Sequence, residues 1–328
     1  MATRVSVGVA LILAIATGAF MAVQARLNGE LATVIGDGFS AATISFGSGL
    51  VILCVILAFS ARGRRGLVLV RDSVRRGKLP WWSVLGGAAG AFLVLTQSLT
   101  VAIIGVALFS VAVVAGQTIS GLLMDVWGMG PSGKAPVTIN RLAGAILAIV
   151  AVGFTVASEL GGPLPMLLLI MPFIAGFGIG WQQAVNGRVR VTADSVLTAT
   201  LINFIVGTGI LVIATIVHTL VSGGPSAVAT NPVLYLGGAM GCIFIGLAAF
   251  LVPHVGTLVL SLGMVAGQLM SSVVLDLFLA ADGVRVTPAT IIGALVALVA
   301  VGLAALPRIG RPKTALTAAD EAPRRRRR

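Results

Sequence analysis

Long apolar runs, separated by short polar or glycine-rich breaks, fill almost the whole chain. Most of these runs hold about twenty residues, the length at which a helix crosses the roughly 30 Å hydrocarbon layer of a membrane. We therefore predict an all-α integral membrane protein with ten transmembrane helices. Their expected bounds are 5–33, 39–60, 81–103, 105–126, 140–158, 164–190, 196–219, 232–253, 256–280 and 288–306.

The chain carries the same five-helix unit twice. The stretch 105–125 matches 256–276, and both contain Val-Ala-Gly-Gln followed by Ser and Asp at one constant offset. A Gln-x-x-x-Asn-Gly motif that begins at Gln24 returns at Gln182. Because five is an odd number of crossings, the second unit must enter the bilayer from the side opposite to the first. The repeat thus predicts two inverted halves, an architecture of secondary transporters, whose binding sites lie at the repeat interface.

The repeat divides the chain into three predicted regions. An N-terminal five-helix repeat is expected at 1–160, an inverted C-terminal repeat at 161–306 and a basic cytoplasmic tail at 307–328. The tail is expected to be disordered, because it is too polar to form a core. The apolar run after Arg4 is similar to a secretory signal. Its repeat equivalent lies in mid-chain, however, so we expect the first segment to be retained.

Composition and charge agree with a membrane location. Mean hydropathy is +1.09 and only 10% of the residues are charged, against about 25% in soluble domains. The formal net charge is +12, but seven basic residues fall in 62–78 and eight follow Leu306, which indicates membrane topology and not a nucleic-acid interface. With a cytoplasmic N-terminus, 20 of the 22 basic residues lie on the inner side, as the positive-inside rule requires. The predicted location is the cytoplasmic membrane, with both termini inside and 220–231 outside.

The order of these motifs resembles one known family. Gln-x-x-x-Asn-Gly late in the first helix, Pro-Trp-Trp before the third and Val-Ala-Gly-Gln with a later Asp in the fourth are similar to the YdcZ-like branch of the drug/metabolite transporter superfamily. The resemblance covers nearly all of 5–306. It implies a carrier, often an exporter, of a small organic metabolite or drug-like compound. Small multidrug exporters of the superfamily use an acidic residue in the middle of the first helix, whereas the first acidic residue here is Glu30.

Paired amides and hydroxyls inside the predicted helices are the candidate substrate-binding residues. Lipid cannot satisfy an amide, so each needs a partner within the protein or a cavity. Two interpretations remain: interhelical hydrogen bonds worth about 1 kcal/mol or less each, or the lining of a substrate cavity. Their symmetric placement favours the cavity. The candidates are Gln24, Asn28, Gln117, Ser120, Gln182, Asn186, Gln268 and Ser271.

Asp125 and Asp276 occupy matching places near the ends of the fourth and ninth predicted helices. An ionisable group within a membrane is a functional candidate, and this pair is the candidate for ion coupling. The alternative is that each carboxylate is hydrated at the membrane surface and ends its helix. Arg26 lies close to the face of the first glutamine and asparagine. It is expected to reach the outer surface with its long side chain, or else to offer a charge to an anionic substrate.

No residue pattern points to an enzyme, a metal site or a cofactor. Cys54 and Cys242 are expected to pack as small side chains, and His218 and His254 stand isolated near helix ends. The expected partners are a small-molecule substrate and, at 62–78 and the tail, anionic lipid headgroups, without nucleic acid. Small-residue faces on the fifth and tenth helices suit packing between the halves or within a homodimer. The alternative to a carrier is a non-transporting membrane scaffold or assembly partner.

Overall fold

Helices account for nearly all of the described residues in the computed structural model, and this part of the chain contains no β-strand. The described residues are 7–131, 133–134, 138–140, 142–144, 146–147, 149–150, 167–279 and 287–305. In chain order the helices are α1 (Val7–Ile35), α2 (Gly38–Ala58), α3 (Ala61–Arg75), α4 (Gly86–Trp127), α5 (Leu167–Ala193), α6 (Val196–Ser222), α7 (Gly237–Leu279) and α8 (Pro288–Ala305). Short 3₁₀ turns at Trp81–Leu85 and Pro232–Leu236 precede α4 and α7.

Seven helical stretches of the described chain are long and apolar enough to cross a membrane. The stretch Trp81–Trp127 has 47 residues, which suffices for two crossings of about 20 residues each. The all-helical membrane class is thereby confirmed, while the count of ten stays a prediction. The expected helix 140–158 falls largely outside the described residues, although the described positions between 139 and 150 are helical. The basic tail at 307–328 also lies outside them.

The predicted third and fourth helices, 81–103 and 105–126, follow each other directly in the structure. No polar linker intervenes, and α4 runs through both segments with a local break at Gly105, where φ is +80° and ψ is 164°. Only glycine adopts such a backbone conformation without strain. The predicted helices 232–253 and 256–280 likewise form one element, α7, with Pro253 inside it. One non-helical residue, Gly105, thus interrupts α4, whereas α7 carries Pro253 within its length.

The basic segment 62–78, predicted as a loop, is largely the helix α3. Ser60 begins it by accepting a hydrogen bond from the amide of Gly63, at 3.0 Å. Gly63, Gly66 and Val70 are buried on one face, and the arginines occupy the others. We counted the charges of this segment but missed its helical period, which marks an amphipathic helix.

Each copy of the repeat packs its first helix against the fourth segment of the other copy. A Cβ added to Gly116 in α4 would overlap the carbonyl oxygen of Phe173 in α5. At the equivalent Gly267 in α7, it would overlap the carbonyl oxygen of Ile15 in α1. Close backbone approach through small residues is typical of membrane helices. The same reciprocity holds in the second helices, where the rings of Phe46 and Phe204 lie 4.8 Å apart.

The second halves of α4 and α7 cross antiparallel at the centre of the molecule. Gly121 lies beside Ser261, with 3.4 Å between an added Cβ and Oγ. At the other end, the start of the α4 half contacts Asp276. Between these ends the two halves share an apolar cluster with α8, which contains Val111, Val114, Val265, Leu269 and Ala294. Equivalent residues of the two copies therefore lie on opposite sides of the point where α4 and α7 cross.

Candidate functional site

Two amides of α1 reach across to the other helices. Gln24 donates from Nε2 to the carbonyl oxygen of Gly237, at 3.0 Å, and its Oε1 has no partner among the described protein groups. Asn28 donates from Nδ2 to Oε1 of Gln97, at 2.7 Å. Both side chains are buried. At these positions the interpretation as interhelical hydrogen bonds is partly right, because real bonds join α1 to α4 and α7.

The equivalent amides of α5 have a related but different set of partners. Asn186 donates from Nδ2 to Oδ1 of Asn203, at 2.9 Å. Gln182 is buried, and its Oε1 lacks a partner in the part of the chain that the structure describes. The adjacent Gln183 accepts from Ser261 Oγ at 2.8 Å. The first helices of the two copies therefore carry buried amides at equivalent positions, but the hydrogen-bond partners of these amides differ.

Sequence comparison within the chain missed Gln97 and Asn203. Both are buried and take part in the amide network. Their repeat equivalents are Ala248 and Ser45, so a search for matched pairs passes over them. The available signal was their position: each is an amide inside an apolar run of membrane length.

Gln117 and Gln268 form the most unusual part of the site. Both side chains are fully buried, and neither Oε1 nor Nε2 of either residue has a hydrogen-bond partner among the described protein groups. Leaving a buried polar group unpaired costs about 1–3 kcal/mol. One glutamine lies on each side of the crossing of α4 and α7. Interhelical hydrogen bonding does not account for these two amides.

The serines predicted one turn later are not equivalent in their surroundings. Ser120 is buried, and its Oγ has no described protein partner. Ser271 is only half-buried, whereas the next residue, Ser272, is fully buried and donates to the carbonyl oxygen of Leu269 at 3.0 Å. The structure therefore places Ser120 with the central amides, while Ser271 lies at their edge.

Asp276, in the second copy of the repeat, caps the N-terminus of a half-helix in the first copy. Its carboxylate accepts from the backbone amides of Val106 and Ala107, at 3.2 Å and 2.6 Å, directly after the break at Gly105. Carboxylates stabilise helix N-termini by accepting these otherwise unpaired amides. Asp276 is buried, so the interpretation as a hydrated surface residue is wrong for it. Asp125 is buried as well and is engaged in an interaction of its own.

A cavity of about 420 Å³ lies beside the C-terminal part of α1. Its walls come from α1, the turn before α7 and the end of α7, and are mostly aliphatic. Arg26 lines it together with Glu30, and the two form an ion pair with 3.4 Å between Nη2 and Oε2. The Arg26 side chain is 18% exposed. The guanidinium is therefore paired with a partly exposed carboxylate at the cavity wall, and its extension to the outer surface stays a prediction.

The sequence also singled out His218, Cys54 and Cys242, and their surroundings are those of structural residues. His218 stacks on Phe39, with ring centroids 4.3 Å apart, and lies 3.5 Å from the Asp37 carboxylate that caps α2. Cys54 and Cys242 are both free thiols. Among the described residues, no group of three or more His, Cys, Asp or Glu side chains has the arrangement of a metal site.

Comparisons with known proteins bear on the same features. A family model described as "Putative inner membrane exporter, YdcZ" matches this chain over residues 9–154 and 167–303. A crystal structure of another protein has a similar fold, with a TM-score of 0.57, 16% sequence identity, and coverage of 90% of this chain and 95% of the other. At that identity the likeness concerns the fold alone. The comparison with curated proteins gave no match.

Proposed function

Because this chain belongs to the YdcZ family of the drug/metabolite transporter superfamily, a family of inner-membrane exporters, we propose that it exports a small organic metabolite or drug-like compound by alternating access. One observation carries this proposal: the two fully buried glutamines at the crossing of α4 and α7 have no hydrogen-bond partner among the described residues. Buried polar groups are retained without partners chiefly where function requires them. Transporter sites lie at such interfaces between repeats.

The reciprocal contacts support two inverted five-helix halves. Equivalent glycines in α4 and α7 approach equivalent carbonyls in α5 and α1. The family model also matches the chain as two successive units. With five crossings in each, the halves face opposite ways, and ten helices result. Alternating access then consists of rocking these halves around the central amides. We assign the cavity to the first four helices of each half, with the fifth and tenth at the periphery.

Uptake and efflux assays test the proposal directly. Purified full-length protein in lipid vesicles is assayed against a metabolite panel, with and without a pH gradient, beside protein-free vesicles. We expect saturable movement of at least one compound above the protein-free control. A chain that moves no compound, yet captures a defined membrane protein, would favour the scaffold alternative. The family assignment points away from an enzyme.

Topology is a separate prediction. In a variant without Cys54 and Cys242, single cysteines are introduced at Lys78, in the turn after α3, and at Val228, which is 80% exposed. We expect a membrane-impermeant thiol reagent to label Val228→Cys from outside intact cells. Lys78→Cys should react only after the membrane is opened, because the basic segment is cytoplasmic. External labelling at both positions would contradict the inverted arrangement, since the two connections are repeat equivalents.

We assign ion coupling to the buried carboxylates of Asp125 and Asp276. At Asp276, two substitutions can separate helix capping from the negative charge. Asparagine caps helices about as well as aspartate, whereas alanine costs about 1 kcal/mol. We expect Asp276→Asn to keep its melting temperature and substrate exchange but to lose gradient-driven transport. Asp276→Ala should also be less stable. Leu277→Ala, at a residue 55% exposed, is the control. Full gradient-driven transport in Asp276→Asn would make this carboxylate a structural cap only.

Helix α3 is proposed to bind anionic lipid headgroups of the inner leaflet. Two of its arginines are engaged within the protein: Arg62 pairs with Asp194 at 2.8 Å, and Arg64 donates to the carbonyl that ends α2. The remaining basic side chains of this segment are exposed, and each is worth about 1 kcal/mol near an anionic surface. They are Arg65, Arg71, Arg75, Arg76 and Lys78.

We expect glutamine in place of Arg65, Arg71, Arg75 and Arg76 together to lower retention of phosphatidylglycerol several-fold. The measurement is the phosphatidylglycerol-to-phosphatidylcholine ratio that remains with the purified protein after reconstitution in mixed vesicles. Arg62→Gln is the matched control, because its guanidinium is already paired with Asp194. Equal retention in the fourfold variant and the wild type would contradict a lipid-binding role for this face.

A further inference from the structure

In the described part of the chain, no charged side chain lies on α4 or α7 close to Gln117 or Gln268. Along their own helices, Gln117 and Gln268 are each eight residues from the nearest charge, at Asp125 and Asp276, which is about 12 Å along the axis. On α1, Gly18 contacts the backbone just before Gln268, and the nearest charge, Arg26, is again eight residues away.

On the α5 side the nearest charge is further away. Gly176 contacts the α4 backbone at Val113, and the nearest charge of that helix, Arg188, lies twelve residues further on. Arg188 is itself engaged, donating to the carbonyl of Gly128 at 2.6 Å. Within the described helices, then, no cation or carboxylate is available to a solute held between the two glutamines.

The unpaired groups at the centre include both hydrogen-bond donors and acceptors. Each glutamine presents a free Nε2 and a free Oε1. One turn after Gln117 in α4, Ser120 adds a hydroxyl that has no described protein partner. Amide groups offer two donor hydrogens and two acceptor lone pairs each. A solute with a carboxamide, urea or uncharged heterocycle edge satisfies both kinds of group, whereas a carboxylate offers only acceptors and an ammonium only donors.

Charge strengthens this selection. An ion transferred from water to a buried site is strongly destabilised unless an opposite charge compensates it. The two carboxylates nearest the centre are occupied elsewhere: Asp276 caps the half-helix that starts at Val106, and Asp125 has its own interaction. A neutral solute loses only its hydrogen bonds to water, and the glutamines replace these.

We propose that the central site selects net-neutral solutes that carry both donors and acceptors, and that Gln117 and Gln268 are the residues that read this property. This inference rests on the proposed transport function and specifies its substrate class. It differs from a site for organic cations, which requires a carboxylate in the centre. The paired placement of the glutamines lets the same amide chemistry contact the solute from either half as the halves rock.

Matched compounds test the charge preference. Three sets, built on pyridine, benzene and a branched alkane, each contain a carboxamide, the carboxylate and the aminomethyl cation. The pyridine set is nicotinamide, nicotinate and 3-(aminomethyl)pyridine. Binding to purified full-length protein in lipid nanodiscs is measured by calorimetry and by the shift in melting temperature. We expect the carboxamide to bind at least tenfold more tightly than either charged member in at least one set.

If Gln117 and Gln268 set the preference for neutral solutes, replacing either of them by glutamate should reverse that preference. Gln117→Glu and Gln268→Glu place a carboxylate at the centre, and each should raise affinity for the aminomethyl member at least tenfold relative to its carboxamide. Thr219→Glu adds the same charge at an exposed position of α6 and should leave the preference unchanged.

Two binding outcomes and one transport outcome would overturn the inference. One is a charged member that binds the wild type as tightly as its carboxamide in every set that binds. The other is the absence of binding by any carboxamide. Vesicle transport of a charged compound would likewise reject a neutral-solute site, while the carrier proposal itself would stand. Loss of all transport in the metabolite panel would instead reject the carrier, so the two failures are distinguishable.

Discussion

Replacing Gln117 or Gln268 by leucine is expected to lower transport at least tenfold without lowering the stability of the fold. Leucine keeps approximate bulk and removes an amide that has no described protein partner. Because an unpaired buried amide costs about 1–3 kcal/mol, its removal should leave the free energy of unfolding unchanged or raise it. Transport falls because the groups that contact the solute are gone. The measurements are vesicle transport and thermal unfolding of the same preparations.

The first amides of each copy provide the matched comparison. Gln24→Leu and Asn28→Leu break bonds of 3.0 Å and 2.7 Å, so they should be less stable than the wild type by about 1 kcal/mol. A loss of stability in Gln117→Leu as large as in Asn28→Leu would show that the central amides hold the helices together. Unchanged transport in both central variants would remove them from the site.

Replacing Gly116 or Gly267 by valine is expected to destabilise the protein severely. At each position the added Cβ overlaps a carbonyl oxygen of the facing helix, and a backbone cannot move aside as a flexible side chain does. The cost should reach or exceed the upper end of the 1–3 kcal/mol typical of overpacking. Since the two glycines are repeat equivalents that contact Phe173 and Ile15, we expect similar losses at both. Thermal unfolding and the yield of monodisperse protein report the effect.

Gly47 and Gly209 are the controls for this pair. An added Cβ at either position meets nothing within 4 Å, so Gly47→Val and Gly209→Val should leave the melting temperature close to that of the wild type. The contrast separates close approach between helices from the general effect of valine in place of glycine. A tolerated Gly116→Val together with a damaging Gly267→Val would show that the two copies do not pack reciprocally.

The sequence by itself determined the class of the protein, its repeat and its family. Runs of about twenty apolar residues permit little besides helices that cross a membrane, because only such helices satisfy every backbone group in lipid. The second Val-Ala-Gly-Gln motif, at Val265 to Gln268, required no structure to find. The order of the motifs then identified the family that matches 9–154 and 167–303.

The sequence predicted local structure less well in the basic segment, because its charges concealed its helical periodicity. The segment 62–78 was read as a loop because its seven basic residues dominate the sequence. Its helix depends on a cap at Ser60 and on the burial of Gly63, Gly66 and Val70 against the neighbouring helices. Amphipathic helices gain most of their stability from such packing, so the surroundings decided what the segment became.

Only the tertiary structure decided which polar groups are paired. Asp276 caps a half-helix 170 residues away in the chain, and Asn28 finds Gln97 at a separation of 69. Gln117 and Gln268 find no described protein partner at all. Hydrogen bonds act over about 3 Å, so the sequence shows which groups need a partner, and the packing of helices decides which of them receive one. The unpaired amides at the centre are therefore a property of the fold.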